Sequence, residues 1–281
     1  MADAVEVNSA IGRMPRGGPT ASWLDRRLQT DLLEYTDRYD IPDEVKQTVI
    51  SALDRVGERG GQHEKHARTA LDVVADVPHP RILELGAGHG KLSAQILRLH
   101  PTATVTVSDL DPTSVANIAN GELGTHPRVR TQVVDATAIA ADDGAYDLVV
   151  FAQAFHHLPP ETAVRAIAEA TRVGRRFLVI DIKRPPSLAL LLTPLVAAPV
   201  AALAVLVRPS IRRIMHDGFI SALRAYSPSA FVALGKAADS QMNIEFLPPT
   251  KRFGLTPTTL VFSRPTATSV NALQPKESEQ S

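Results

Sequence analysis

Arg81-Ile82-Leu83-Glu84-Leu85 runs directly into Gly86-Ala87-Gly88-His89-Gly90, an apolar strand pattern ending in a turn with glycine at every second position. Glycine reaches backbone conformations closed to other residues and carries no Cβ, so the peptide turns sharply and a ligand can approach closely. A helical pattern follows from Lys91 to Leu99, and the first turn of a helix offers free N–H groups and partial positive charge. Strand, turn and helix together form a cradle for a nucleotide-like ligand. The spacing is not that of a dinucleotide fingerprint, which requires G-x-G-x-x-G. This chain reads G-x-G-x-G with Lys91 next, and Glu84 stands two residues before the first glycine. A carboxylate there repels a pyrophosphate and attracts an ammonium group. The plainer alternative, a corner whose glycines allow close packing, leaves Glu84 unexplained.

The strand pattern then repeats. Thr104 to Asp109 alternates and ends in an acid, where nucleotide folds present a carboxylate to ribose hydroxyls. Asp111-Pro112 has the form of an N-cap with proline at the first helical position, so the ribose role falls to Asp109 and the cap to Asp111. Val129 to Val134 is a third strand ending at Asp135-Ala136. Leu148-Val149-Val150-Phe151 is a continuous apolar run, the mark of a strand buried on both faces, and it continues as Ala152-Gln153-Ala154-Phe155-His156-His157-Leu158-Pro159. A helix from Glu161 to Arg172 and a strand from Arg176 to Asp181 complete five β-α units. That alternation predicts an α/β fold with a mostly parallel sheet and helices on both sides. Asn243 to Leu247 and Leu255 to Ser263 read as the last two strands, an antiparallel hairpin at the sheet edge.

Two of these stretches carry a family likeness. Glu84-x-Gly86-x-Gly88-x-Gly90 resembles the first motif of class I S-adenosylmethionine-dependent methyltransferases, and Asp147 through His157-Leu158 resembles the D-x-V-x … H-L stretch of their small-molecule type. The resemblance covers about Glu84 to Asp181. It implies a Rossmann-like doubly wound sheet of seven strands with an antiparallel last strand. It implies a cofactor, S-adenosylmethionine, that carries an ammonium and a sulfonium but no phosphate. Glu84, Gly86, Ala87, Gly88 and Gly90 would cradle it, with Asp109 and Leu110 at the ribose side, Asp135 at the adenine amino group, the Ala136 N–H facing the ring, and Gln153 completing the set. The methyl would pass to a nucleophile by direct displacement, the protein supplying proximity and orientation. An acceptor such as a phenol or enol needs a base. His157 matches the family histidine after the fourth strand and His216 is a second candidate, with hydrogen-bonded structural histidines as the alternative for each. His156 is read as facing elsewhere. A magnesium-dependent mechanism needs clustered Asp and Asn ligands at the ends of the fourth and fifth strands, where this chain has Gln153 and a lone Asp181, so no metal is expected.

Outside those motifs the reading is coarser. Residues 1–20 mix Gly, Pro and charge and are expected to be a mobile lead; 21–76 form a helical cap, 77–182 the cofactor-binding core, 183–226 an apolar insertion, 227–264 a helix with the last two strands, and 265–281 a disordered tail. Within the cap, Leu24, Leu28, Leu32 and Tyr35 predict a helix over 23–39; a second is expected from Pro42 until Gly57, Gly60 and Gly61 break it, and a third from His63 to Ala75. His63 and His66 share a helical face, a weak metal signal better read as surface histidines. Leu188 to Val207 holds no charge and Arg208, Arg212 and Arg213 follow it. By length it is a membrane-span candidate, but Pro194 and Pro199 break a helix, and a crossing would part the last strands from their sheet. A lid over the substrate cleft ranks first, interfacial attachment second. With 30 basic and 30 acidic residues and no cysteine, the chain offers no general attraction to nucleic acid and no disulfide or thiolate site. The expectation is a cytoplasmic methyltransferase, peripheral on the inner membrane face if the insertion meets lipid, acting on a small lipophilic acceptor such as a quinone, phenol, polyketide or lipid. A non-catalytic membrane-associated S-adenosylmethionine-binding protein and a nicotinamide-dependent oxidoreductase stand as alternatives.

Overall fold

The computed structural model describes residues 11–193, 198, 209–249 and 256–265. Their centre is a seven-stranded sheet in the order β3-β2-β1-β4-β5-β7-β6, built from β1 Arg81–Leu85, β2 Thr104–Asp109, β3 Val129–Val133, β4 Leu148–Ala152, β5 Phe177–Asp181, β6 Asn243–Phe246 and β7 Thr258–Ser263. The first five pair in parallel, and β7 runs antiparallel to both β5 and β6. The doubly wound sheet is therefore as expected. The last hairpin is threaded so that the later strand, β7, lies inside: its residues are largely buried while those of β6 are exposed at the edge.

The period-two alternation of each central strand sorts side chains into two cores. Leu83, Leu85, Val149, Phe151, Phe177 and Val179 face one layer, where α6 Pro160–Val173 contributes Ile167 and α8 Pro228–Ala238 contributes Phe231 and Leu234. Ile82, Val105, Val107, Leu148, Val150 and Ile180 face the other. There α3 Gln62–Val73 presents Ala67 and Ala70, and α4 Lys91–Leu99 presents Leu92 and Ile96. Both faces being covered explains the unbroken apolar runs of β4 and β5. Asp111 caps α5 Pro112–Asn120 by accepting from Ser114 N, and Ser227 caps α8 by accepting from Ala230 N, as their Pro-following positions predict.

Four differences are informative. The helix expected over 23–39 is only α1 Trp23–Arg27, followed by irregular chain and a 3-10 turn at Tyr35–Asp37. The amphipathic spacing does not prevail because Leu32 and Leu33 find no face to bury against, whereas Glu34, in an extended conformation, is drawn inward by tertiary hydrogen bonds. Residues 11–20 are packed rather than a loose lead: Met14 and Arg16 are buried, and Arg16 donates to the carbonyls of His156, Leu158 and Arg224. The second helix, α2 Asp43–Arg59, runs through Gly57 and ends at Gly60. A Cβ at Gly57 would meet His63 Nε2 at 2.7 Å, so that glycine admits α3 rather than breaking α2. His66 is buried, not on the surface, and burial pushes its imidazole down to about 4.

In the insertion, residues 187–193 are helical and α7 Pro209–Arg224 follows; the expectation for 194–197 and 199–208 lies outside the described residues. Leu190 is buried while Leu188, Leu191 and Leu192 are exposed. Among the described residues no helix is long and apolar enough to cross a membrane.

Phe155 is fully buried and touches the rings of Phe151, Phe177, Tyr226 and Phe231. Phe155→Ala should cost about 3–5 kcal/mol in denaturant titration. Trp23→Ala, at a position 71% exposed, should cost under about 1 kcal/mol.

Candidate active site

The glycine turn is held from three sides. Ala87 N donates to Ser108 O at 2.9 Å, Gly88 N to Asp109 Oδ2 at 2.9 Å, and Gly90 N to Ala87 O at 2.8 Å. Gly86, Gly88 and Gly90 all adopt positive φ, and a Cβ on Gly86 would meet Phe151 Cε2 at 2.7 Å. The alternating glycines are thus required by both conformation and space. Helix α2 lies over the turn: His89 bonds Asp54 at 2.7 Å and Gln47 at 2.8 Å, and Ile50 stands 3.4 Å from where a Gly88 Cβ would be.

Glu84 is buried beneath this turn, with Oε2 accepting from Ser93 N at 3.1 Å and from the Ser93 hydroxyl. Burial pushes its carboxyl up to about 7, and the neighbouring acids Asp109 and Asp54 add to the rise against the two Ser93 bonds. Asp109 spans the turn and the start of the next loop, accepting from Gly88 N and from Asp111 N; burial raises it above the usual carboxylate range. Leu110 beside it is 56% exposed. Asp135 is exposed and closes a local turn, its Oδ1 accepting from Thr137 N and Oγ1. Gln153 follows β4 with φ of +59°, the single positive φ of a non-glycine among the described residues; strain of this kind collects at functional sites. Glu84, Asp109, Asp135 and Gln153 therefore all stand at carboxyl ends of adjacent parallel strands, with Ala87 bonded to β2 and Ala136 following β3.

A second constellation occupies the ends of β4 and β5. His156 is buried, its Nδ1 2.7 Å from Asp181 Oδ1 and its Nε2 3.4 Å from Glu34 Oε1. Burial alone would push this imidazole down, but the Asp181 and Glu34 carboxylates raise it to about 9. His157 places Nδ1 2.6 Å from Asp37 Oδ1 and Nε2 3.7 Å from Glu34 Oε2. Arg224 donates to Asp37 Oδ2 and to the His157 carbonyl, each at 2.5 Å. Against the upward push of burial, His157 and Arg224 hold the Asp37 carboxyl at about 2. His216 does not join this cluster. It pairs with Asp217 at 2.9 Å and sets its ring edge-on to Tyr35, 5.2 Å between centroids.

Three members of the cluster, Glu34, Asp37 and Arg224, were absent from the sequence reading. Glu34 and Asp37 fall where a continuous helix was expected, and they reach His156 and His157 from about 120 residues away. The one usable signal was the E-x-x-D spacing itself, which carries no chemistry without a partner.

Residues 82–176 match the protein family described as "Methyltransferase domain". The chain is 39% identical over 93 residues to malonyl-[acyl-carrier protein] O-methyltransferase of Geobacter sulfurreducens, covering 33% of this chain and 34% of that protein. It is 34% identical over 110 residues to ubiquinone biosynthesis O-methyltransferase of Xanthomonas euvesicatoria pv. vesicatoria, covering 38% and 45% respectively. It is 29% identical over 120 residues to demethylmenaquinone methyltransferase of Thermus thermophilus, covering 42% and 54%. The chain thus spans between a third and about half of the length of these relatives. Among solved structures, the plantazolicin methyltransferase BpumL in complex with a monoazolic desmethylPZN analog and SAH superposes with a TM-score of 0.61 at 11% identity, covering 92% of this chain and 100% of that one. At that identity the likeness is one of fold.

The buried acid of the turn has a stability consequence. Its folded pKa of about 7 lies above the ordinary glutamate value of 4.5, so the folded state holds a proton the unfolded chain has released, and stability falls as pH rises from 4.5 to 7. That gap corresponds to up to about 3 kcal/mol of destabilisation at pH 8. Glu84→Gln should melt several degrees above the parent protein at pH 8 and level with it near pH 4.5 by calorimetry; equal melting at both pH values would refute the assignment.

Proposed function

We propose that this chain, whose residues 82–176 form a methyltransferase domain, transfers the sulfonium methyl of S-adenosylmethionine to a small lipophilic acceptor. The observation that carries the reading is Glu84: a carboxyl buried beneath a glycine turn and raised to about 7 by that burial, with the acids Asp109 and Asp54 adding to the rise. A ligand with an ammonium group supplies a cation there, and a pyrophosphate does not. The cofactor's ribose hydroxyls are assigned to Asp109, its adenine to the exposed side of Leu110 with Asp135 and the Ala136 N–H, and its methionine end to the turn Gly86-Ala87-Gly88 and Gln153.

In the transfer itself, the acceptor's lone pair forms the bond to the methyl carbon while the carbon–sulfur bond breaks and its electrons stay on sulfur. The sulfonium is already activated, so holding the acceptor in line is the main task. The acceptor side is assigned to the end of β4, where His157 sits. His216, 41% exposed in its side chain, is assigned to the rim of the 183–226 insertion. The exposed Leu188, Leu191 and Leu192 support an apolar acceptor and, as a second use, contact with a membrane surface from the cytoplasmic side. The relatives named as a ubiquinone biosynthesis O-methyltransferase and a demethylmenaquinone methyltransferase support an acceptor of quinone type.

Titration calorimetry with S-adenosylhomocysteine tests the reading. The ammonium pairs only with ionised Glu84, so affinity should tighten about tenfold between pH 6 and pH 8 as the carboxyl titrates through its value near 7. Glu84→Gln should bind weakly with a flat pH profile. Absence of binding at pH 8, or tighter binding of NAD or NADP in a parallel titration, would overturn it.

A further inference from the structure

We propose that Glu34, His156 and His157 form a binding site for one divalent cation of the zinc type, an ion the sequence reading did not anticipate. One donor atom from each of the three lies within 4.8 Å of the others. The imidazole Nε2 atoms stand 3.4 and 3.7 Å from the two oxygens of Glu34. Ligands about 2.0–2.2 Å from a tetrahedral zinc are themselves separated by roughly 3.3 Å, and these two nitrogen–oxygen separations lie within tenths of an ångström of that spacing.

The second shell has the form that metal-binding histidines require. A ligating imidazole donates its other N–H to a carboxylate, which fixes the tautomer and turns the free nitrogen toward the metal. Here each Nδ1 meets an aspartate, His156 with Asp181 at 2.7 Å and His157 with Asp37 at 2.6 Å. Both Nε2 atoms are thereby left facing Glu34. His156 is 1% exposed, and its Nε2 makes no hydrogen bond despite its nearness to Glu34. A buried imidazole nitrogen without a partner is costly unless a proton or a metal occupies it.

Charge points the same way. Glu34, Asp37 and Asp181 converge on the imidazoles, and Arg224 donates to Asp37 at 2.5 Å and stands 3.9 Å from Glu34. With both imidazoles neutral, as ligands to a metal must be, these three carboxylates and Arg224 hold an excess of two negative charges, which one divalent cation cancels. The donor set, two nitrogens and one oxygen with no thiolate, suits zinc and its transition-metal neighbours better than magnesium or calcium.

Three protein ligands leave one position open. The use of that position rests on the methyl-transfer reading: an acceptor hydroxyl bound there releases its proton to solvent more readily, and its oxygen then takes the methyl. Ion binding itself stands apart from that reading.

The test uses the full chain, stripped with a chelator and titrated with zinc chloride at pH 7 in two buffers of different ionisation enthalpy. One ion per chain with sub-micromolar Kd is expected, with release of the proton that the Asp181 and Glu34 carboxylates hold on His156. X-ray absorption should show only nitrogen and oxygen ligands near 2.0–2.1 Å. Glu34→Gln and His157→Asn should weaken binding at least 100-fold. Asp37→Asn keeps every ligand and should weaken it 10- to 100-fold, which covers the case in which a ligand variant fails to fold. His79→Ala, an exposed histidine elsewhere, should bind as the parent does. Failure of the parent chain to bind zinc below about 100 µM, or equal binding by parent, Glu34→Gln and Asp37→Asn, would overturn the proposal. S-adenosylhomocysteine titrated into the same samples separates the outcomes: zinc without cofactor binding defeats the methyl-transfer reading, and cofactor without zinc binding defeats this one.

Discussion

Parallel pairing of β1 with β2 and β4, and of β4 with β5, is the constraint on which the rest depends. It brings the carboxyl ends of these strands to one edge of the sheet. Between β1 and β4 the strand order reverses, and the loops leaving the two strands part in opposite directions, opening a crevice there. The groups of the sheet and its loops to which a chemical role is assigned sit on that edge: Glu84 in β1, Asp109 at the end of β2, Gln153 and the two histidines after β4, and Asp181 closing β5. The buried faces do no more than hold this edge in register, but they do so tightly. Glu84 pairs in register with Val107 on one side and Val150 on the other, so its carboxylate is placed by the sheet rather than by a loop.

The glycine-turn half of that edge was legible in the sequence because its determinants are local. A positive φ at three alternate residues demands glycine, an N-cap demands a short polar side chain, and a doubly covered strand demands an unbroken apolar run; each leaves its mark within ten residues. The half beyond β4 was not. Glu34 and Asp37 lie 122 and 119 residues before His156, and nothing near them in the chain announces a partner. Worse, the local pattern was misleading. Leu24, Leu28, Leu32 and Tyr35 keep helical spacing, yet α1 stops at Arg27, because a helix gains its stability from a face it can bury. The long-range bonds of Glu34 and Asp37 outweigh the propensity of the intervening residues.

Those bonds belong to a wider fastening of the N-terminal segment. Arg16 donates to carbonyls at His156, Leu158 and Arg224; Arg184 donates to Asp25 and to the carbonyls of Leu223 and Ala225; Arg224 donates to Asp37 and the His157 carbonyl. Three buried guanidiniums thus satisfy the end of α7, the turn after β4 and the segment 25–37 together. Hydrogen bonds to a charged partner are worth about 1.5–3 kcal/mol each, and leaving one of these cations unpaired in the interior would cost more. The segment that supplies Glu34 and Asp37 is consequently part of the folded body, and the cluster it forms with His156 and His157 is assembled by folding rather than by a loop closing on arrival of a ligand.

The two halves of the edge differ in one respect that separates a ligand site from a structural ion pair. The Arg184 and Asp25 pair is complete: charge meets charge at 2.6 Å, and the remaining N–H groups find carbonyls. Glu84 is incomplete, for Ser93 offers it two neutral donors and no cation, and the nearest charged groups are the acids Asp109 and Asp54. A carboxylate in that position lowers stability at neutral pH, and hydrophobic replacement would relieve it. The Glu34, His156 and His157 group is incomplete in another way, since its carboxylates outnumber its fixed cation and a buried nitrogen stands without a hydrogen bond. Each deficit names the charge that would fill it: a monovalent ammonium beneath the glycine turn, and a divalent ion or two protons beyond β4. Because both lie on one sheet edge, a methyl donor held by the first would share that edge with whatever the second retains.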